Sequence, residues 1–189
     1  MRNICAIDLD GVLNYYPDCW VDFINRETGL NFKDKGECKK VLTPKEYALL
    51  KDKYRKSEFK ANLRIRKSAL ELLRHLKDEG YFIVIVTRRP FEGYPSLFDM
   101  TRKWLEKNNV PFDVLEKKSI SLLKKYPRLD FYVEDELEDA NLIAKRGYKV
   151  FLFQKECNEG VMHQNVIRIK SLKEILSYLS ERCGNNRND

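Results

Sequence analysis

Apolar positions along the chain fall into two alternating periods. Short continuous runs, each bounded by polar or turn residues, occur at NICAIDL (Asn3 to Leu9), YFIVIVT (Tyr81 to Thr87), FDVL (Phe112 to Leu115), DFYVE (Asp130 to Glu134), KVFLF (Lys149 to Phe153) and NVIRI (Asn165 to Ile169). Runs of this length and composition predict buried strands. The clearest is YFIVIVT, crowded with Ile and Val, preceded by Gly80 and stopped by Arg88-Arg89-Pro90. Between the runs the period lengthens to that of a helix. RKSALELLRHLKDEG sets Ala69, Leu72, Leu73 and Leu76 on one face and ends in glycine, a common helix stop. SLFDMTRKWLEKNN, SISLLKKY, ELEDANLIAKRG and SLKEILSYLSERC repeat that pattern. Strands alternating with helices predict an α/β fold whose parallel sheet is covered on both faces.

One segment breaks the alternation. From Asn14 to Ile65 the chain shows helical pieces, CWVDFINRETG and TPKEYALLKDKYRKSE, and no strand. A linker that long predicts a small helical insert, placed over the mouth of the sheet. The expected organisation is a core of residues 1–13 and 66–183, a helical cap of residues 14–65, and a disordered tail, GNNRND, over 184–189. There is no internal repeat.

Composition narrows the class. With 189 residues, 43% hydrophobic and 34% charged, the sequence reads as a soluble globular protein. It has no run of eighteen apolar residues and no signal-peptide pattern, so a cytoplasmic location and no membrane partner are expected. The five cysteines, Cys5, Cys19, Cys38, Cys157 and Cys183, are scattered and form no C-x-x-C pair, which predicts reduced, structural thiols. A net charge of +7 favours anionic partners, phosphorylated metabolites or nucleic acid, although lysines on helix faces also make an ordinary solvated surface. Nothing in the sequence sets an oligomeric state.

The polar chemistry gathers where the strands end. In an open parallel sheet ligands bind outside the carboxyl ends of the strands. The first strand ends in Asp8-Leu9-Asp10-Gly11, the second in Thr87, the fourth in Glu134-Asp135 with Asp139 beyond, and Lys117-Lys118 follow the third. Carboxylates brought together repel one another unless a cation sits among them. Hard oxygen donors in that number suit Mg²⁺, which takes one or two carboxylates and a substrate phosphate. Gly11 allows the turn that brings Asp8 and Asp10 to one phosphorus. One acid would attack as nucleophile and the other would move protons. Thr87 can donate to a phosphate oxygen, and a lysine can neutralise transition-state charge. Lys117, Lys118, Lys124 and Lys125 all lie in the right interval.

DLDGVL, the strand closing in Thr87, the later lysine and EDELED (Glu134 to Asp139) together resemble the four motifs of the haloacid dehalogenase (HAD) superfamily of phosphohydrolases. The resemblance covers nearly the whole chain. It implies a Rossmann-like core with a helical cap after the first strand. It also implies Asp8 as nucleophile, Asp10 as general acid/base, Thr87 as phosphate ligand and Lys118 as the charge-stabilising lysine. Mg²⁺ would be held by Asp8, the backbone carbonyl of Asp10 and Asp135, with Glu134 and Asp139 in support. Dehalogenases of the superfamily lack an acid at the place of Asp10 and transport ATPases have threonine, so DLD implies a phosphatase. The insert, YFIVIVTRRP and TRKWLEKNNVPFD resemble the C-type 5′-nucleotidase group, and TRKWLE is also similar to the phosphatase domain of phage polynucleotide kinase.

The expected function is a Mg²⁺-dependent phosphatase acting through an aspartyl phosphate on a small phosphomonoester, a nucleotide first. The alternatives are a nucleic-acid end phosphatase of the polynucleotide 3′-phosphatase kind and a non-catalytic module that binds a phosphate ligand. Gly11 and Arg88 are expected to touch substrate; the Arg88-Arg89 pair before Pro90 either clamps substrate or lies on the surface. Tyr15, Tyr16, Trp20, Tyr47, Tyr54 and Lys56 either frame a nucleobase or pack the insert. Glu136 and Glu138 are read as solvated, and the isolated His75 and His163 as no part of a metal site.

Overall fold

The structure is a computed structural model and describes residues 2–155 and 158–185, with side-chain burial defined to residue 181. Its described strands form one sheet of six parallel members: β1 (Ile4–Asp8), β2 (Phe82–Thr87), β3 (Val114–Lys117), β4 (Leu129–Glu134), β5 (Val150–Phe153) and β6 (Val166–Ile169). Their order across the sheet is β3-β2-β1-β4-β5-β6, so succession runs one way from β1 to β3 and the other way from β4 onward. The reversal falls beside β1, the crevice position where open α/β sheets bind ligands. Cys5, Ala6 and Ile7 of β1 and Ile83 to Val86 of β2 are fully buried, as continuous apolar strands covered on both faces should be.

The helices are α1 (Asp18–Thr28), α2 (Lys35–Val41), α3 (Pro44–Lys56), α4 (Glu58–Ala61), α5 (Lys67–Asp78), α6 (Pro95–Lys107), α7 (Ile120–Lys125), α8 (Leu137–Ala144) and α9 (Lys173–Asn185). Thr43 and Glu46 close a capping box on α3, with Pro44 in its first turn. The long helical pattern from Thr43 is divided at Ser57, whose extended backbone (φ −83°, ψ 150°) separates α3 from α4. Helix α2 has no counterpart in the sequence reading: it buries only Cys38, so its apolar period is nearly absent, and Asp34 caps it by accepting from the Glu37 N–H at 2.9 Å. Helix α9 continues through Gly184 and Asn185, the first residues of the expected tail, and 186–189 lie outside the described residues.

Strand β3 begins at Val114, two residues later than FDVL suggests. Asp113 is occupied otherwise: its Oδ2 accepts from the Ile83 N–H at 2.8 Å and from Lys77 at 2.5 Å. The later start carries the strand to Lys117, paired in register with Thr87.

The chain divides into two compact units. The first takes the residues up to Leu13, Arg66–Arg88 and those from Val110 onward, and holds the whole sheet. The second takes Asn14–Ile65 together with Arg89–Asn109, so α6 is grouped with the helices of the insert. Inside the second unit Trp20, Phe23, Tyr54 and Phe59 pack ring against ring, and the buried Trp104 of α6 donates its indole N–H to Leu63 O at 2.7 Å.

Candidate active site

The polar residues of the site stand at the ends of strands or shortly beyond them. Asp8 is the last residue of β1 and is 4% exposed. Leu9–Leu13 then form one wide turn, in which Asp10 departs from helical geometry (φ −80°, ψ 113°) and Gly11 takes a positive φ of 99°. Glycine is required there twice over. An L side chain disfavours that φ, and a Cβ would lie 2.0 Å from Asp135 Oδ2 and 2.3 Å from Lys155 Nζ.

Pairing of β2 with β3 fixes the lysine. With Lys117 level with Thr87, the Lys118 N–H donates to Thr87 O at 2.8 Å. Lys117 is exposed, whereas the Lys118 ammonium reaches Asp8 Oδ1 at 2.6 Å, Glu134 Oε2 at 2.8 Å and Asp139 Oδ2 at 3.4 Å. Of the lysines in that interval, Lys118 is thus the one placed among the acids.

At the end of β4, Glu134, its last residue, and Asp135, which follows, are both buried. Glu134 Oε1 accepts from Lys118 at 3.1 Å and from the N–H groups of Asp135 and Glu136 at 3.1 and 3.2 Å. Asp139 sits in the first turn of α8, where the helix dipole favours an acid, and pairs with Arg88. Glu136 and Glu138 are exposed, as expected of solvated residues.

Burial governs the electrostatics. It pushes the Asp8 carboxyl well above the usual range, against the pull of Lys118 and with further upward pressure from Glu134 and Asp135. Glu134 is pushed up to about 7 by burial, again opposed by Lys118. Asp135 is raised by burial, and Lys155 works the other way. For Lys118 burial alone would favour the neutral amine, but Asp8 and Glu134 more than offset it and hold the ammonium charged. Carboxylate oxygens of Asp8, Glu134 and Asp135 lie within 4.8 Å of one another. Three buried hard donors, raised in pKa by burial and by one another's charge, are a donor set that fits a divalent cation such as Mg²⁺.

Lys155 and Asn158 went unnoticed in the sequence. Lys155 Nζ lies 2.5 Å from Asp135 Oδ2. The buried Asn158 donates from Nδ2 to Asp135 O at 2.9 Å and to Phe153 O at 2.8 Å, while its Oδ1 accepts from the Lys155 N–H at 3.0 Å. Both residues follow β5, and the strand-end rule that singled out the other positions applies equally to that strand.

The remaining candidates are distributed differently. Arg88 is exposed along much of its side chain and is held by Asp139. Arg89 is not a surface residue: it is 4% exposed and donates to Thr101 Oγ1 at 2.8 Å. Trp20 and Tyr54 are buried in the aromatic cluster of the second unit, and Trp20 Nε1 donates to Tyr47 Oη at 2.8 Å. Tyr15 and Tyr16 are half-buried, and Lys56 is exposed and paired with Asp52. Cys5 and Cys38 are buried free thiols, and Cys19 is buried with its Sγ 3.4 Å from Tyr54 Oη; Cys157 and the side chain of Cys183 lie outside what is described. Among the described residues, the Tyr132 hydroxyl is buried without a hydrogen-bond partner.

Comparison with known proteins agrees with this layout. The chain is 26% identical over 189 residues to a nucleotidase of Clostridium acetobutylicum, covering 92% of this chain and 91% of that protein. Its fold is similar to that of a haloacid dehalogenase-like hydrolase of Streptococcus pneumoniae (TM-score 0.63, 16% identity, 94% of this chain and 98% of that one). It is also similar to the D,D-heptose 1,7-bisphosphate phosphatase of B. bronchiseptica, solved with magnesium and phosphate (TM-score 0.58, 14% identity, 96% and 99%). The model of the family described as 5′ nucleotidase, deoxy (pyrimidine), cytosolic type C matches residues 2–181. The chain therefore belongs to that family and is a phosphomonoester hydrolase, with a fold similar to that of haloacid dehalogenase-like hydrolases.

Proposed function

We propose that the protein is a Mg²⁺-dependent nucleotidase that hydrolyses a small nucleoside phosphate through an aspartyl-phosphate intermediate. The observation that carries this reading is the convergence of Asp8, Glu134, Asp135 and Lys118 at the switch point of the sheet, in a chain of a nucleotidase family. Asp8 and Asp135, with the backbone carbonyl of Asp10, would hold the cation, and Glu134 and Asp139 would support it. The bound ion supplies charge neutralisation at the phosphate oxygens.

Asp8 uses one carboxylate oxygen to form a bond to phosphorus, and the ester P–O bond breaks. Asp10, partly exposed and outside the buried cluster, gives its proton to the leaving oxygen. It then takes a proton from the water that attacks the aspartyl phosphate, releasing inorganic phosphate and restoring Asp8. Lys118, 2.6 Å from Asp8, favours the ionised form of the nucleophile against the effect of its burial. Thr87 donates its hydroxyl to a non-bridging oxygen, and Arg88 binds the outer part of the substrate. Residues 14–65 act as the cap. Among the described residues no helix is long and apolar enough to cross a membrane, and the buried thiols of Cys5 and Cys38 suit a reducing compartment, so we place the activity in the cytoplasm.

The test is phosphate release from nucleoside monophosphates, sugar phosphates and 3′-phosphorylated oligonucleotides, with MgCl₂ and with EDTA, running Asp8→Asn alongside. Metal-dependent release from nucleotides that vanishes in the variant supports the reading. Preferential release from oligonucleotides, falling steeply with salt, would replace it with a nucleic-acid end phosphatase. Full activity of Asp8→Asn would overturn the mechanism.

A further inference from the structure

We propose that Lys155 is a built-in competitor for the divalent cation, its ammonium neutralising Asp135 in the cation-free enzyme and weakening cation affinity. The inference rests on reading the acid cluster as a cation site. Lys118 serves Asp8, Glu134 and Asp139, whereas the ammonium against Asp135 comes from Lys155, at 2.5 Å. The two side chains are nearly buried, 12% and 5% exposed. A cation bound through the Asp135 carboxylate would stand within a few ångströms of that ammonium, and like charges so close in a buried site repel strongly.

The placement is built into the fold. Lys155 leaves β5 through a backbone clamped by Asn158, which also holds Asp135 O, and Arg168 secures Asn158 with donors to Oδ1 at 2.8 Å and to O at 2.9 Å. The turn at Gly11 closes the other side, since a Cβ there would strike both Asp135 Oδ2 and Lys155 Nζ. The pair is therefore confined between two backbone segments. Lysine suits the role because its compact charge rides on a flexible stem that can turn aside without moving the main chain.

The experiment is isothermal titration of MgCl₂ into metal-stripped wild type, Lys155→Met and Lys155→Arg, with thermal unfolding of each in EDTA and in saturating MgCl₂. Lys155→Met should bind Mg²⁺ about tenfold more tightly, and Lys155→Arg, which keeps the charge, should stay within about twofold of wild type. The Met variant should unfold earlier than wild type in EDTA and recover in MgCl₂, because the cation restores the charge removed from Asp135. Equal or weaker Mg²⁺ affinity in Lys155→Met overturns the inference, as does an equal loss of thermal stability with and without Mg²⁺. If Lys155→Met does not fold, Lys155→Gln takes its place under the same criteria. Should wild type itself bind no Mg²⁺, the cation-site reading fails and this inference with it; tight binding that ignores residue 155 removes this inference alone.

Discussion

The acid cluster and the aromatic cluster of this protein are both buried, and burial acts on them in opposite ways. At the strand ends of the first unit it encloses Asp8, Glu134, Asp135 and Asp139 with Lys118, charged groups whose removal from water costs free energy and drives the carboxyls of Asp8, Glu134 and Asp135 upward. In the second unit it encloses Trp20, Phe23 and Tyr54, whose ring centroids lie 5.1 to 5.9 Å apart and whose burial is favourable in itself. The first arrangement stores electrostatic tension of the kind a divalent cation relieves. The second contributes stability. Mutations in the acid cluster should accordingly appear chiefly in turnover, and mutations in the aromatic cluster chiefly in unfolding.

The largest departure expected is Asp8→Asn, which should lower phosphate release by at least about 10⁴-fold while leaving a cooperative thermal transition. Asp10→Asn should follow, slowing turnover by about 10² to 10⁴-fold and letting an acid-stable phosphorylated protein accumulate, visible as an added phosphate by intact-mass measurement. Trp20→Ala should reverse the pattern, costing about 3–5 kcal/mol in urea unfolding. If Trp20→Ala unfolds at the wild-type urea midpoint, the division of roles between the clusters collapses. The smallest effect is expected at Tyr132, whose buried hydroxyl lacks a partner beside the acids; Tyr132→Phe should stabilise by about 1 kcal/mol, and a drop in melting temperature would mean the hydroxyl is satisfied after all.

Local pattern made most of the sheet legible, because fully buried parallel strands are continuous apolar runs whatever their neighbours do. It also placed Asp8, Thr87, Glu134 and Asp135 at strand ends, where motif and topology coincide. Choosing Lys118 over Lys117 by geometry needed the register of β3 against β2, a tertiary quantity that Asp113 shifts by capping Ile83. Beside Pro90 the pattern leaves Arg89 open between a substrate clamp and a surface residue, whereas in the structure it is buried against Thr101, twelve residues on in α6. Lys155 belongs to no motif, and its meeting with Asp135 depends on how Asn158 folds the chain after β5. Helix α2 escaped because a helix that buries one cysteine leaves almost no apolar period to detect.

The excursion from Asn14 to Ile65 begins and ends at touching points. Asn14 and Ile65 form an isolated antiparallel bridge, and the adjoining Arg66 N–H donates to Leu13 O at 2.8 Å. Ends so close make the segment a natural cassette, since closing a different insert across the same gap costs little extra loop entropy. A transplant of residues 14–65 alone would nevertheless arrive incomplete. Trp104 donates its indole N–H to Leu63, and Lys107 donates to Asn62 at 2.8 Å, so the exchangeable part consists of two stretches of chain. Chimaeras that move 14–65 and 89–109 together should remain soluble where single-segment grafts do not, and a recombination library on this scaffold should cut at four positions.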